Sequence, residues 1–319
     1  LPDMFRHGLP HQLHQSAPIR PTVALPRRRN DTIGTLPSGT QRCMNFRHDF
    51  RKLIRKLGYD YAYPLPYPHV ELFFWEPDDG TVNFGDFLSA VVVDQCLRQS
   101  GYTRADEASR NARMLAIGSI LHYARNGDVI WGSGLNGRAG QENLHPSVTH
   151  LDVRAVRGPR TREILQRRGQ SVPEVFGDPA LLLPHLFPGR FQPRAKVPWA
   201  FVPNLHDIRL FDPNAANIIT PLGSWNRRIE AILEAEFVLA SSLHGLIVAE
   251  AYGIPARYVR LSNSEAEFKY RDYYEGTGRF DVEFATSIEQ GKEMGGAARP
   301  KFNHQPLIDA FPVDLWSRS

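Results

Sequence analysis

Cysteine is scarce in this chain of 319 residues: Cys43 and Cys96 are its two copies. Two thiols make no disulfide framework, and these two lack the spacing of a metal site. A reducing compartment, the cytosol, is the expected location. Long apolar runs are missing too. None approaches the roughly 18 residues of a membrane span, and the first residues carry no apolar stretch of a secretion signal. There is no lysine-rich stripe and no nucleic-acid motif, so no nucleic-acid partner is expected. GxSxG is absent, and Ser242 lies two residues from His244, a poor geometry for a nucleophile and its base. Asp78-Asp79 lacks the spacing of a DxD metal site, and no metal or cofactor is expected.

What is present suits a soluble α/β protein. Hydrophobic residues make up 42% and charged residues 23%, enough apolar content for about two ordinary domains. The net charge of +4 and pI near 9.1 suit an anionic substrate or an acidic membrane surface. Arginine supplies most of that positive charge, and its planar fork matches carboxylate and phosphate better than an ammonium does.

The organising stretch is Glu236 to Leu261. Phe237 to Ala240 is apolar and β-leaning, Ser241-Ser-Leu-His-Gly245 is a polar turn, and Leu246 to Tyr252 has helical spacing. Gly253 and Pro255 end that helix before a strand at Arg257 to Leu261. His244 thus stands where a strand hands over to a helix. Ligands of open α/β sheets bind there, although a capping role is the plain alternative.

Residues 1–68 read as a Pro/Arg/His-rich arm with a basic amphipathic helix at Phe46 to Leu57. His7, His11 and His14 are read as a polar tail and not as a metal cluster. Residues 69–185 form an expected first β/α domain, with strands at Val70 to Trp75, Met114 to Ile117, Asp128 to Trp131 and Val153 to Val156. Asn83-Phe-Gly-Asp86 opens a helix from Phe87 to Leu97 with Asp86 at its start. Cys96 sits inside it as a buried hydrophobe. Arg157 occupies another strand-to-helix corner, before a helix at Thr161 to Arg168. A segment from Val172 to Phe176 leads to Asp178-Pro179, which reads as a helix cap. Residues 186–198 read as a linker. Residues 199–319 form a second β/α domain plus an extension, with strands at Trp199 to Val202 and Ile218 to Thr220 and a helix at Trp225 to Glu234. Two such domains facing a cleft are expected.

Four segments in order resemble the polysaccharide pyruvyl transferase family, particularly the bacterial exopolysaccharide ketal-pyruvate transferases. They are NFGDFLS (Asn83 to Ser89), VRGPRTREILQRRG (Val156 to Gly169), VFGDPALLLP (Val175 to Pro184) and SSLHGLIVAEAYGIP (Ser241 to Pro255). FKYRDYY (Phe268 to Tyr274) is a looser fifth. The resemblance implies two Rossmann-like domains in a glycosyltransferase-B-like arrangement that needs no metal. It also implies phosphoenolpyruvate as donor, a sugar acceptor and a cyclic pyruvate ketal as product. The positions matching donor contacts are Arg157 and His244, within a donor-binding turn of Ser242, Leu243 and Gly245. This chain departs from the family pattern at Ser242, where many members carry Arg, and at Asn204, where many carry His. The second donor cation then falls to Lys269, Arg271 or Arg160, in that order.

On the chemistry, His244 is expected to be the donor's phosphate ligand or proton donor, and Arg157 to hold its carboxylate or phosphate. Asp86 is expected to act as a second catalytic group, and Asn83, Asp86 and Asn204 to meet the acceptor. The acceptor is expected to be a glycan or lipid-linked oligosaccharide, with peripheral attachment at the inner face of the cell membrane. A nucleotide-sugar glycosyltransferase and an inactive glycan-binding subunit remain the competing readings.

Overall fold

The computed structural model describes residues 65–212 and 215–316. Cys43, the amino-terminal histidines and the basic helix expected at Phe46 to Leu57 lie outside the described residues. All described residues belong to one compact unit, Asn45–Ser319. It is a mixed α/β structure with two parallel sheets and, among the described residues, eight α-helices.

The first sheet takes its strands in chain order: β1 (Val70–Phe73), β2 (Ala112–Leu115), β3 (Val129–Trp131) and β4 (Asp152–Ala155). All neighbours are parallel, with Val70 opposite Ala112, Met114 opposite Val129 and Val129 opposite Asp152. The register shifts between Ile130 and Trp131. Parallel strands covered on both faces read as continuous apolar runs, and Met114, Leu115, Val129, Ile130 and Trp131 are all fully buried. The second sheet is β5 (Ala200–Val202), β6 (Val238–Ala240) and β7 (Ala256–Tyr258), again parallel and in chain order. Its middle strand is wholly apolar and buried.

Helix α1 (Phe84–Gln99) follows β1 and starts three residues earlier than its apolar spacing suggested. Asn83, not Asp86, is its cap: Asn83 Oδ1 accepts the Gly85 N–H at 3.1 Å. Asp86 falls in the first turn, where its charge still favours the helix dipole. Helix α2 (Pro159–Arg167) follows β4, and a 3-10 turn at Pro179–Leu182 runs into the short α3 (Leu183–Leu186). Helix α4 (Trp225–Leu233) precedes β6, and α5 (Leu243–Ala251) joins β6 to β7. Helix α6 (Phe268–Gly276) follows β7, then α7 (Ile288–Met294) and α8 (His304–Asp309). Val172 to Phe176 and Ile218 to Thr220 are not strands; each makes a single bridge, Val156 with Phe176 and Phe201 with Ile218.

One continuous core links the sheets. Leu88, Val92 and Leu97 of α1 and Leu181 to Leu183 pack in the same cluster as Leu246 to Ala249 of α5. Each such side chain, fully buried, contributes about 1.5–3 kcal/mol. Cys96 lies in this core, and burial pushes its thiol up to about 12. The carboxy-terminal extension returns to the first sheet: Trp131 Nε1 donates to the Leu307 carbonyl at 2.8 Å, and Phe311 meets the Trp131 ring edge-on. No helix among the described residues is long and apolar enough to cross a membrane.

Candidate active site

A cavity of about 400 Å³ opens where the carboxyl ends of strands from both sheets converge. Every wall comes from a segment that follows a strand: Asn83 and Asp86 after β1, Ser119 after β2, Asn136 after β3, Asn204 after β5, Ser242 to His244 after β6, and Lys269 after β7. That is where ligands of parallel sheets bind.

Helix α5 begins at Leu243 because Ser242 caps it, its Oγ accepting the Gly245 N–H at 3.3 Å. The cap places His244 in the first turn, facing the cavity and only 8% exposed. At Gly245 a Cβ would stand 2.6 Å from the Val202 side chain, so glycine lets α5 pack onto β5. Gly85 of α1 faces the imidazole directly: a Cβ would lie 2.3 Å from His244 Nδ1. On the other side, His244 Nε2 is 3.6 Å from Asp178 Oδ2. Asp178 caps the turn at Pro179–Leu182 as its sequence implies, through Oδ1.

Asp86 keeps partial access to the cavity, yet the surrounding protein strips away most of its water. That burial pushes its carboxyl up to about 6, against the opposing pull of His244 and Lys269. Lys269 is buried and ion-paired with Glu265 at 2.8 Å. Desolvation draws the ammonium below its ordinary range, and Glu265 partly restores it. At the rim Arg138 meets His206 at 3.1 Å, and His206 lies 3.8 Å from Glu265. His122, whose ring burial pushes down to about 4, lies tilted against Tyr123 in the cavity wall.

Several buried polar atoms around this cavity have no hydrogen-bond partner: His244 Nε2, Asp178 Oδ2, both ring nitrogens of His122 and Asn136 Oδ1. Leaving such an atom unpaired costs about 1–3 kcal/mol. Such clustering is characteristic of a site prepared for a ligand. Among the described residues, no three His, Cys, Asp or Glu side chains group as a metal site.

The expected site residues divide. His244, Asp86, Asn83, Ser242, Leu243, Lys269 and Asn204 all line the cavity. Asn204 does so with its amide saturated: Nδ2 donates to Asp207, and Oδ1 accepts from the His206 and Asp207 amides. Arg157 does not line it. The arginine is fully buried, pairs with Asp272 of α6 at 2.9 Å, and donates to Ser119 Oγ and the Leu135 carbonyl. It reaches the cavity only through Ser119. Arg271 turns away to pair with Glu267 and lie over Phe284, and Arg160 is held by Glu275. Trp75, Ser119, His122, Asn136, Arg138, Gln141, His206 and Glu265 are further wall residues not singled out as donor or acceptor contacts. A glycine directly after β2, Gly118, is the local feature that could have pointed to Ser119, since it lets a ligand approach the backbone there.

Two parallel sheets with a polar, titratable cavity at their strand ends define an α/β protein with an enzyme-like cleft. The chain belongs to the polysaccharide pyruvyl transferase family, whose model matches residues 7–263. It is 28% identical over 218 residues to the succinoglycan biosynthesis protein ExoV of Rhizobium meliloti, covering 65% of this chain and 64% of that relative's length. A crystal structure of an uncharacterized protein from Klebsiella pneumoniae aligns over 76% of this chain and all of its own, at 13% identity and a TM-score of 0.41.

Proposed function

We propose that this protein transfers the enolpyruvyl group of phosphoenolpyruvate to a sugar of an exopolysaccharide or its lipid-linked repeat unit. The product is a cyclic pyruvate ketal, and phosphate is released. The observation that carries the reading is one cavity that sets His244, at a helix start, near Lys269 and the raised carboxyl of Asp86. Helix-start N–H groups with an imidazole and an ammonium suit a small dianion. A carboxyl that titrates near 6 suits proton exchange at neutral pH.

In this scheme the donor's methylene carbon takes a proton, and a sugar hydroxyl attacks the carbon bearing the phosphate oxygen. Phosphate leaves and a second hydroxyl closes the ring, its proton passing to a base. His244 binds the phosphate and offers a proton. Asp86 takes protons from the acceptor hydroxyls, with Asn83 beside it. Lys269, released from Glu265, supplies the second cation for the donor, and Arg157 holds Ser119 in the wall. The two sheets act as the halves of a glycosyltransferase-B-like pair of Rossmann-like domains. No cofactor takes part.

The test is product release in the presence of glycan acceptors. Phosphate from phosphoenolpyruvate supports the reading; nucleotide released from a sugar donor instead replaces it with glycosyl transfer.

A further inference from the structure

Two of the unpartnered atoms face one another. Asp178 Oδ2 and His244 Nε2 stand 3.6 Å apart, and neither has another hydrogen-bond partner. Asp178 is wholly buried. Its other oxygen, Oδ1, already accepts the Ala180 N–H at 3.0 Å and caps the turn. Capping needs one oxygen, and an asparagine supplies one equally well. The second oxygen of a fully buried carboxylate has no structural use where it stands, and leaving it bare is costly.

A single small movement relieves both atoms. Closing the 3.6 Å gap to the ~2.8 Å of a charge-assisted bond requires less than an ångström. Catalytic hydrogen bonds are commonly long before ligands bind and shorten afterwards. Gly85 presses on the ring from the Nδ1 side, so the imidazole is held between two elements and cannot swing away. The charged groups that share this field are Asp86, Lys269 and Glu265, and Lys269 is engaged by Glu265.

We infer that Asp178 is a positioning residue for His244: it accepts the Nε2–H, fixes the tautomer and ring orientation, and leaves Nδ1 as the atom that takes a second proton when the dianion binds and donates it to the phosphate. The inference rests on the reading of His244 as a donor ligand, but its first test needs no donor.

The test is nitrogen NMR of the imidazole in the full-length, isotope-labelled protein, with the His244 signal assigned by its loss in His244→Gln. The neutral ring is expected to carry its proton on Nε2. Asp178→Asn keeps the cap but turns an amide N–H₂ toward Nε2, so the proton is expected to move to Nδ1. Affinity for inorganic phosphate in Asp178→Asn is expected to fall at least about tenfold, the lower range for loss of a group that orients a ligand. A wild-type ring protonated on Nδ1 overturns the inference, as does a tautomer that Asp178→Asn leaves unchanged, or a phosphate affinity that does not fall. Should Asp178→Asn fail to fold, the wild-type tautomer alone decides. A tautomer as expected, with no phosphate released from phosphoenolpyruvate, leaves the pair standing and removes the donor reading instead.

Discussion

Two strand-to-helix corners carry a nitrogen base, an arginine at one and a histidine at the other, and the fold treats them in opposite ways. At the β4–α2 corner Arg157 is saturated: Asp272, Ser119 and Leu135 accept from its guanidinium, and Asp272 also accepts the Thr161 N–H at the start of α2. The fit is tight, since a Cβ at Gly158 would fall 1.8 Å from the Asp272 carbonyl oxygen. At the β6–α5 corner His244 has no hydrogen-bond partner at Nε2 and faces a cavity. The same local pattern thus serves stability in one place and leaves capacity for a ligand in the other. What separates them is whether a distant segment arrives with a partner.

Breaking the first corner has the largest expected effect. Arg157→Leu leaves Asp272 buried without its cation, and the loss is expected to be about 3–5 kcal/mol of folding free energy by denaturant unfolding. A variant of native stability that has lost donor binding would instead make Arg157 a ligand contact. His244→Ala should do the reverse. Turnover is expected to drop at least about a hundredfold if the ring moves a proton, while the unfolding midpoint moves little; near-normal turnover rejects the role.

Gly85→Ala sharpens the contrast further. Alanine improves helix propensity by about 1 kcal/mol, yet its Cβ collides with the His244 ring. Turnover should fall about tenfold in a protein that still folds, and unaltered kinetics would show that the ring position does not matter. The smallest effect concerns pH. Asp86 titrates near 6 in the folded protein against 3.8 for its ordinary value. The folded state therefore holds the proton more tightly, and this group's contribution is full below about 4 and is lost as pH rises through 6. With water reaching the cavity, the loss is expected to be on the order of 1 kcal/mol. Asp86→Asn should flatten the stability profile between those pH values, and an unchanged slope assigns it to other groups.

Local chemistry was legible in the sequence and long-range partnership was not. The β6–α5–β7 unit follows from its apolar runs, its Gly-Pro ending and its polar turn. Its helix begins at Leu243 and not Leu246 because the cap is Ser242, a residue equally plausible as plain loop. Asp178-Pro179 announces a cap, and the cap is there; that its free oxygen meets an imidazole 66 residues later depends on how α5 packs against that turn. Arg157 reads as a donor fork because it stands at a strand-to-helix corner, in a segment that resembles the family's donor-binding one. Its partner lies 115 residues on, in α6, a helix whose arrival against α2 no local pattern encodes. Asn83 and Asp86 were recognisable as a helix start. The elevation of Asp86 comes from its burial in the folded protein, which spacing alone does not express.

Mass spectrometry of glycans incubated with the protein and phosphoenolpyruvate tests the central claim most directly. The account predicts a sugar product heavier by one pyruvate ketal, formed with an equal amount of phosphate and not formed by His244→Ala. A glycan of unchanged mass beside intact phosphoenolpyruvate, across lipid-linked and free acceptors alike, contradicts it.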